Sequence, residues 1–591
     1  PNILRQAARR FGLEYVLSDM FDMAAKHKFR LFGGPPAIDT EKGRDSQKSG
    51  VKYVYMVGRG EPWVVDPKAL DKSMNDLDAV LASHGKRMWA VSASDEIVHR
   101  ARVEGADLME NPPKDYDYIK VADAEVKAQF GGGKYGIPHG QKDPNPYRWI
   151  AFNKWLVVKF HDRAVRIRQI IKKNNLDIPL VSYDPQSRSD GNDYSGVAND
   201  YDIWTHQTYQ RANQWTANSG FYTKYLADLT GKDVWPCVHI ENYAMATTPE
   251  EAREEMSEVF RNGGSGFHFY LPDTANGNKV VGDTRLAYFG SPRRYNTILN
   301  VINLTANMPK LRYPQNTRSA ILYNDDMLQS TFSGTRVPMY STEAAYTFLG
   351  PVARSWFKFI DDSKVLSSPS LNQQFDTIYL PIATYQRPEI VARLRKFVEN
   401  GGTLVSGDAK AFDTDTLGND TSAQRKQIFG VTTDDTTKPK VLSVKLNKKT
   451  YTLSVPTSAT SLTPDKGTQV LGTFEDGSAA ITLHQLGKGR AILFASNPFN
   501  MDSIPDAKWR AFFTGFAAYL HDPINLDIWR FQFPDSVLGN DIPTPAGQCL
   551  TNNYVPWREE KPLTYGNVDL KGKYQLQPAP DAMPDVATDW I

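Results

Sequence analysis

From residue 1 to about residue 310 the chain alternates short apolar, β-branched or aromatic runs with longer stretches of helical periodicity. That alternation constrains the fold most, because parallel strands need long crossovers and helices supply them. Strands are expected at 13–18, 51–57, 87–94, 178–183, 202–209, 234–240 and 266–271. Helices are expected at 2–10, 67–84, 147–175, 220–229, 248–262 and 293–308. The last but one opens Thr248-Pro-Glu-Glu, which places an N-cap, a first-turn proline and acidic residues where a helix dipole favours them. Seven strands with a helix ahead of the first imply an α/β (β/α)8 TIM barrel whose first strand lies upstream of Pro1 or is replaced by another element. On this count Glu96 closes strand four and Glu241 closes strand seven.

A second α/β unit follows. Arg318 to Tyr323, Phe375 to Pro381 and Gly401 to Gly407 have strand character, with an amphipathic helix from Pro388 to Asn400, in a doubly wound layout. Period-two alternation between about 435 and 485, as in Lys440-Val-Leu-Ser-Val-Lys-Leu, marks a small antiparallel β domain. The expected division is therefore 1–312 for the barrel, 313–434 for the α/β domain, 435–486 for the β domain, 487–525 for a return to the α/β domain, and 526–591 for an extended tail rich in Pro, Asp and Asn.

The 591 residues include 69 basic and 67 acidic side chains, so the charge balance carries no footprint for nucleic acid or an anionic membrane surface. No run of 18 apolar residues occurs. The two cysteines, Cys237 and Cys549, build neither a disulfide framework nor a thiolate zinc cluster, and no metal or other cofactor is expected. A chain starting at Pro1 without methionine reads as a mature or trimmed product, and a secreted or periplasmic location is expected.

A carboxylate at the end of a buried strand is costly to desolvate, so it is kept for hydrogen bonding, metal binding or catalysis. Taken singly, Glu96 beside Asp95 could cap a helix, and Glu241 could sit in a structural ion pair. Together they supply what glycosidic bond cleavage needs, one carboxyl as acid and one as nucleophile or base. Four nearby residues, His206, Tyr209, His268 and Tyr270, could hydrogen-bond Glu241 or sugar hydroxyls, or else be satisfied wall residues. Trp63, Trp89, Trp204, Trp215 and Trp235 could stack on a pyranose, although most tryptophans are core. Arg59 and Arg211 could meet sulfate or carboxylate on a polysaccharide, or be solvated surface residues.

Asp95-Glu96, followed by Phe130-Gly-Gly-Gly-Lys-Tyr-Gly-Ile-Pro and the aromatic run Tyr147-Arg-Trp-Ile-Ala-Phe-Asn-Lys-Trp, resembles the stretch after the acid/base of family 42 glycoside hydrolases, the β-galactosidases of the large barrel clan. Phe375-Asp-Thr-Ile-Tyr-Leu-Pro and Leu394-Arg-Lys-Phe-Val-Glu-Asn-Gly-Gly-Thr-Leu-Val resemble that family's glutamine-amidotransferase-like trimerisation domain. The resemblance covers about residues 10 to 430. It implies a retaining hydrolase with Glu96 as acid/base and Glu241 as nucleophile, an oligo- or polysaccharide substrate of β-galactoside or galactan type, and a homo-oligomer, trimer or dimer. Asp95 stands where the clan has asparagine, which puts strict β-galactosidase specificity in doubt. A modified or sulfated marine galactan of carrageenan or agar type is the alternative substrate, and a non-catalytic carbohydrate-binding protein on the same fold is the alternative function. With no cysteine between 238 and 548, the amidotransferase-like domain lacks that chemistry's thiol.

Overall fold

The computed structural model describes residues 30–32, 35, 39–58, 66–94, 117–182, 194–208, 218–238, 248–268, most of 297–330, and 337–539. The first unit is built on parallel strands: β1 (Arg30–Phe32), β2 (Lys52–Met56), β3 (Met88–Ser92), β4 (Leu180–Val181), β5 (Ile203–Trp204), β6 (Gln207–Thr208), β7 (Asp233–Val234) and β8 (Cys237–Val238). Strands β1, β2, β3, β4, β5 and β7 pair in that order, all parallel, and β6 pairs with β8 in the same sense. His268 extends the series by a parallel bridge to Cys237. Strand order thus follows chain order without the reversal that defines a doubly wound sheet.

β5 and β6 are one strand interrupted, as are β7 and β8. The Thr205 N–H bonds the Ser182 hydroxyl at 2.9 Å instead of a ladder carbonyl. Pro236 has no N–H to give. Across both breaks the ladder holds, with Trp235 N donating to Trp204 O at 2.8 Å and Cys237 N to His206 O at 2.7 Å.

The sequence pattern misses β1 and reads the region after it as a loop. Helix α1 (Glu41–Ser49) forms there, because Thr40 caps it by accepting from Gly43 N at 2.9 Å and Gly50 closes it in a left-handed conformation (φ +71°). β1 supplies a strand that the expectation of a missing first strand did not count. The expected strand at 13–18 and the helix at 2–10 lie outside the described residues.

The remaining crossover helices are α2 (Pro67–His84), α3 (Asp117–Gln129), α4 (Pro146–Lys173), α5 (Asn218–Thr230) and α6 (Pro249–Arg261). α6 carries a complete capping box between Thr248 and Glu251. The helix-facing side of the sheet joins the main core through Met88, Val91, Leu180, Trp204 and Val234. The opposite face carries a separate small cluster of Val54, Ala90, Val181 and Ile203, with Trp89 and Trp235 packed against it.

The second unit is one mixed sheet of eleven strands. Its parallel part runs β10 (Phe357–Asp361), β9 (Ser319–Tyr323), β11 (Thr377–Leu380), β12 (Thr403–Ser406) and β19 (Gly489–Phe494). Its antiparallel part continues directly from β19 through β18 (Ala479–Leu486), β17 (Gln469–Phe474), β14 (Val441–Leu446) and β15 (Lys449–Ser454), while β16 (Ala459–Pro464) also pairs with β18 and β13 (Val431–Thr437) pairs with β16. The alternating side chains that suggested a small β domain therefore belong to the same sheet. β10 was not anticipated from sequence.

The two units are pinned together by buried polar contacts. The Phe359 N–H donates to Asp228 at 2.9 Å, the Ser195 N–H to Asp361 at 3.0 Å, and the Asn153 amide to Gln329 O at 2.7 Å. Lys224, almost fully buried, lies over the Trp356 ring at 4.0 Å and bonds Asp228 at 3.0 Å. Among the described residues no helix is long and apolar enough to cross a membrane.

Candidate active site at the strand ends

Ser94 is the last described residue before Asp95-Glu96, and Val238 the last before the segment that holds Glu241. Both follow carboxyl ends of strands in one parallel series, separated by the strands at 180–181 and 203–208. Glu96, Glu241, Asp95, Tyr209, Tyr270, Trp63 and Arg59 themselves lie outside the described residues.

Two anchors fix the described strand ends. Arg163, on the buried stripe of α4, is 2 % exposed and donates to Gly58 O at 2.8 Å and Ala93 O at 3.2 Å. It thus binds the ends of β2 and β3 three residues ahead of Glu96. Burial pushes its guanidinium down to about 10. The Ser73 hydroxyl adds a second donor to Gly58 O at 2.6 Å. Between the strands hydroxyls tie neighbours together: Ser182 Oγ lies 3.2 Å from Thr205 Oγ1, and Ser92 Oγ reaches Ser182 O at 3.5 Å.

Of the residues picked from sequence, Trp204 and His206 are corrected. Trp204 is fully buried on the helix side, edge-on to Tyr194 and Tyr201, so it is core and not a sugar platform. His206 is also fully buried and its Nε2 lies 3.0 Å from Thr223 Oγ1 on α5, away from the other face of the sheet. His268 is placed differently. Its neighbour Phe267 packs on the cluster around α6, so strand alternation turns His268 to the opposite side, beside Cys237.

Trp89 and Trp235 stack on one another, centroids 5.2 Å apart and planes 11° from parallel. Register slips between Tyr53 and Val54, so Trp89 and Ala90 together oppose one β2 residue in a bulge that turns the Trp89 ring toward Trp235. Trp235 Nε1 donates to Ser265 Oγ at 3.1 Å, and a Cβ on Gly266 would come within 2.8 Å of the Trp235 ring. Both rings are partly buried and pack against the small cluster on that sheet face.

Sequence reasoning missed Arg163, Gln207 and the serines at 92 and 94. Arg163 shows itself as a base on the apolar stripe Phe160, Ala164, Ile167, Ile171. Gln207, buried, shares the parity of Ile203 and thus the face opposite the helices.

The carboxyl edge of the second sheet, where open α/β sheets hold ligands, is filled. Asp326 after β9 pairs with Lys154 of α4 and with Arg387, which also faces Asp362 after β10 at 3.4 Å. Asp408 after β12 accepts from Thr384 Oγ1 at 2.7 Å. Among the described residues no group of three or more His, Cys, Asp or Glu is arranged to hold a metal ion.

Residues 365–514 match the β-galactosidase trimerisation domain of family 42. A catalytic mutant of Gan42B, a GH42 β-galactosidase from G. stearothermophilus, superimposes at a TM-score of 0.62 with 15% identity, covering 86% of this chain and 85% of that one. The chain has the family 42 fold. The β-galactosidase of Bacillus circulans sp. alkalophilus gives a TM-score of 0.63 at 11% identity, over 85% of this chain and 86% of its own. An exo-β-1,4-mannosidase from Opitutaceae bacterium strain TAV5 gives 0.53 at 12% identity, over 85% and 92%. No curated protein matches the sequence. The family 42 fold therefore covers both units at once, the parallel series and the mixed sheet.

Proposed function

We propose that this protein is a retaining glycoside hydrolase that cleaves β-galactosidic bonds in a galactoside or galactan-type polysaccharide. Glu96 is the acid/base and Glu241 the nucleophile. The observation that carries this is strand parity. Ala90 and Trp235 share the face opposite the helices, and Glu96 and Glu241 each follow six residues later in the sequence, an even count that suits the same face.

Three interstrand steps separate the two strands, ~14 Å if the sheet were flat. A retaining pair needs its carboxyls about 5 to 5.5 Å apart. Curvature of the parallel series into a closed (β/α)8 barrel removes that difference, and the unreversed strand order supports closure. Within the barrel, Glu96 stays protonated to donate to the leaving oxygen while Glu241 stays ionised to attack the anomeric carbon, each charge pushing the other group's proton affinity apart. Asp95 raises the proton affinity of Glu96 further. The same reading makes residues 365–514 a self-association surface, trimer or dimer, in a secreted or periplasmic protein.

The test is to assay wild type, Glu241→Ala and Glu96→Ala on aryl β-galactosides, aryl β-mannosides and neutral and sulfated galactans. Loss of at least ~10³-fold in kcat is expected for Glu241→Ala. Glu96→Ala should slow natural glycosides far more than activated aryl ones, whose leaving groups need no proton. Intact activity in Glu241→Ala removes the nucleophile. Tight binding without turnover by wild type favours the carbohydrate-binding alternative.

A further inference from the structure

On the helix-facing side of the parallel series, a chain of hydrogen bonds runs from helix α6 to the strand that leads to Glu241. Glu255 Oε2 lies 2.6 Å from Ser219 Oγ, Ser219 Oγ lies 2.9 Å from Thr208 Oγ1, and Thr208 Oγ1 lies 3.5 Å from the carbonyl oxygen of Cys237. All four residues are buried, none more than 2 % exposed. Cys237 stands four residues ahead of Glu241.

Each hydroxyl in such a chain has one proton to give, so the chain can run with either of two opposite polarities. With Glu255 neutral, its O–H donates to Ser219, Ser219 donates to Thr208, and Thr208 donates to the Cys237 carbonyl. With Glu255 ionised, Ser219 donates to the carboxylate and Thr208 donates to Ser219. The carbonyl then loses its hydroxyl donor.

We propose that Glu255 is a positioning residue for the strand that precedes Glu241 in the chain, its proton setting the polarity of the Ser219 and Thr208 hydroxyls and through them the hold on the Cys237 carbonyl. What that strand presents to a substrate rests on the hydrolase reading; the chain itself does not. The surroundings favour the neutral form. Burial first, and then the charge of Glu258, push Glu255 well above the usual carboxylate range, with Glu254 and Glu251 of the same helix adding to it. Glu258 is itself pushed up to about 7, by burial and by Glu254 and Glu343 against the lowering pull of Arg261. Arg261 is bonded to Glu254, Glu251 is engaged in the capping box with Thr248, and His206 on the adjoining strand is bonded to Thr223 of α5.

The experiment compares wild type with Glu255→Gln, Glu255→Ala and Ser219→Ala by two readouts. One is the rate at which a maleimide labels Cys237 in the native full-length protein between pH 5 and 9, with Cys549 as internal reference. The other is the pH profile of kcat and KM on whichever glycoside wild type hydrolyses. An amide keeps a donor at every pH, so Glu255→Gln should hold the neutral polarity throughout. Wild type should therefore label faster than Glu255→Gln on the alkaline side only. The alkaline limb of kcat should extend in Glu255→Gln with KM unchanged. In Ser219→Ala the Cys237 carbonyl is the remaining acceptor in the chain for the Thr208 hydroxyl. Labelling relative to Cys549 should therefore stay at the wild-type acidic-side level at all pH, about fivefold below wild type on the alkaline side, the equivalent of one hydrogen bond kept. Glu255→Ala, which lacks the titrating carboxyl, should likewise lose the pH dependence. Superimposable labelling curves for wild type and Glu255→Gln, or a Ser219→Ala variant that keeps the alkaline rise in labelling of wild type, would overturn the proposal. The two ideas fail separately. Intact turnover in Glu241→Ala would end the hydrolase reading, while the labelling comparison would still decide the role of Glu255.

Discussion

Arg387 donates through Nε to Asp326 at 3.0 Å, and its other arm faces Asp362 at 3.4 Å. Lys154, from the first unit, pairs with the same Asp326. Both aspartates are fully buried. Their neighbour Asp325 is buried as well, so three acidic side chains meet two bases at the carboxyl edge of the second sheet. A site that in other α/β sheets receives a ligand is closed here by a helix from the neighbouring unit. Burial alone would raise Asp326, but Lys154 and Arg387 outweigh it and hold its carboxyl below the ordinary range.

Lys154→Met is therefore expected to destabilise the protein by about 3 kcal/mol, because removing one partner of a buried pair leaves an uncompensated charge. Urea unfolding of the full chain measures this. The double variant Lys154→Met with Asp326→Asn should recover part of the loss.

Asp362 shows the opposite shift. Burial, and then the charge of Asp326, push it up to about 7 despite Arg387. Its folded-state proton affinity exceeds its unfolded one, so its contribution is full below about pH 4 and is lost as pH rises through about 7. Thermal unfolding should show Asp362→Asn gaining on wild type between pH 5 and pH 8, by on the order of 1–3 kcal/mol. A constant difference across that range would assign the proton elsewhere.

Arg163→Met should leave the Gly58 and Ala93 carbonyls short of a donor, at a cost of about 1–3 kcal/mol. Because those carbonyls end the strands next to Glu96, kcat should fall while KM changes little. Steady-state kinetics on an active glycoside tests this, and a rise in KM alone would contradict it.

Trp235→Ala should cost about 1–3 kcal/mol from the partly buried ring and the broken stack with Trp89. Gly266→Ala should destabilise by about 1–3 kcal/mol, since the added methyl meets the Trp235 ring.

Helix positions with strong local chemistry were legible in the sequence. Pro67–His84 is found at its expected bounds, and the Thr248 N-cap became a full capping box. What escaped was governed by contacts distant in sequence. β1 spans three residues, too few for a period. α1 has a glycine and mostly polar residues, and its cap and Gly50 stop were the readable signals. The faces of the strand at 203–208 were misjudged because Ile203 and Trp204 are both apolar, so hydrophobicity could not say which points toward the helices. Period two would have served better, since it groups Trp204 with His206 and Thr208 and separates all three from Tyr209. The antiparallel run after 435 was readable as strands, but its continuity with β19 depends on pairing that no local pattern encodes.

The most direct measurement of the paired-glutamate mechanism is covalent trapping. A 2-deoxy-2-fluoro glycosyl fluoride of the sugar that wild type hydrolyses should inactivate the enzyme, and peptide mass spectrometry should find the sugar ester on Glu241. A label on a different carboxylate, or continued turnover with no label, would contradict a retaining pair formed by Glu96 and Glu241.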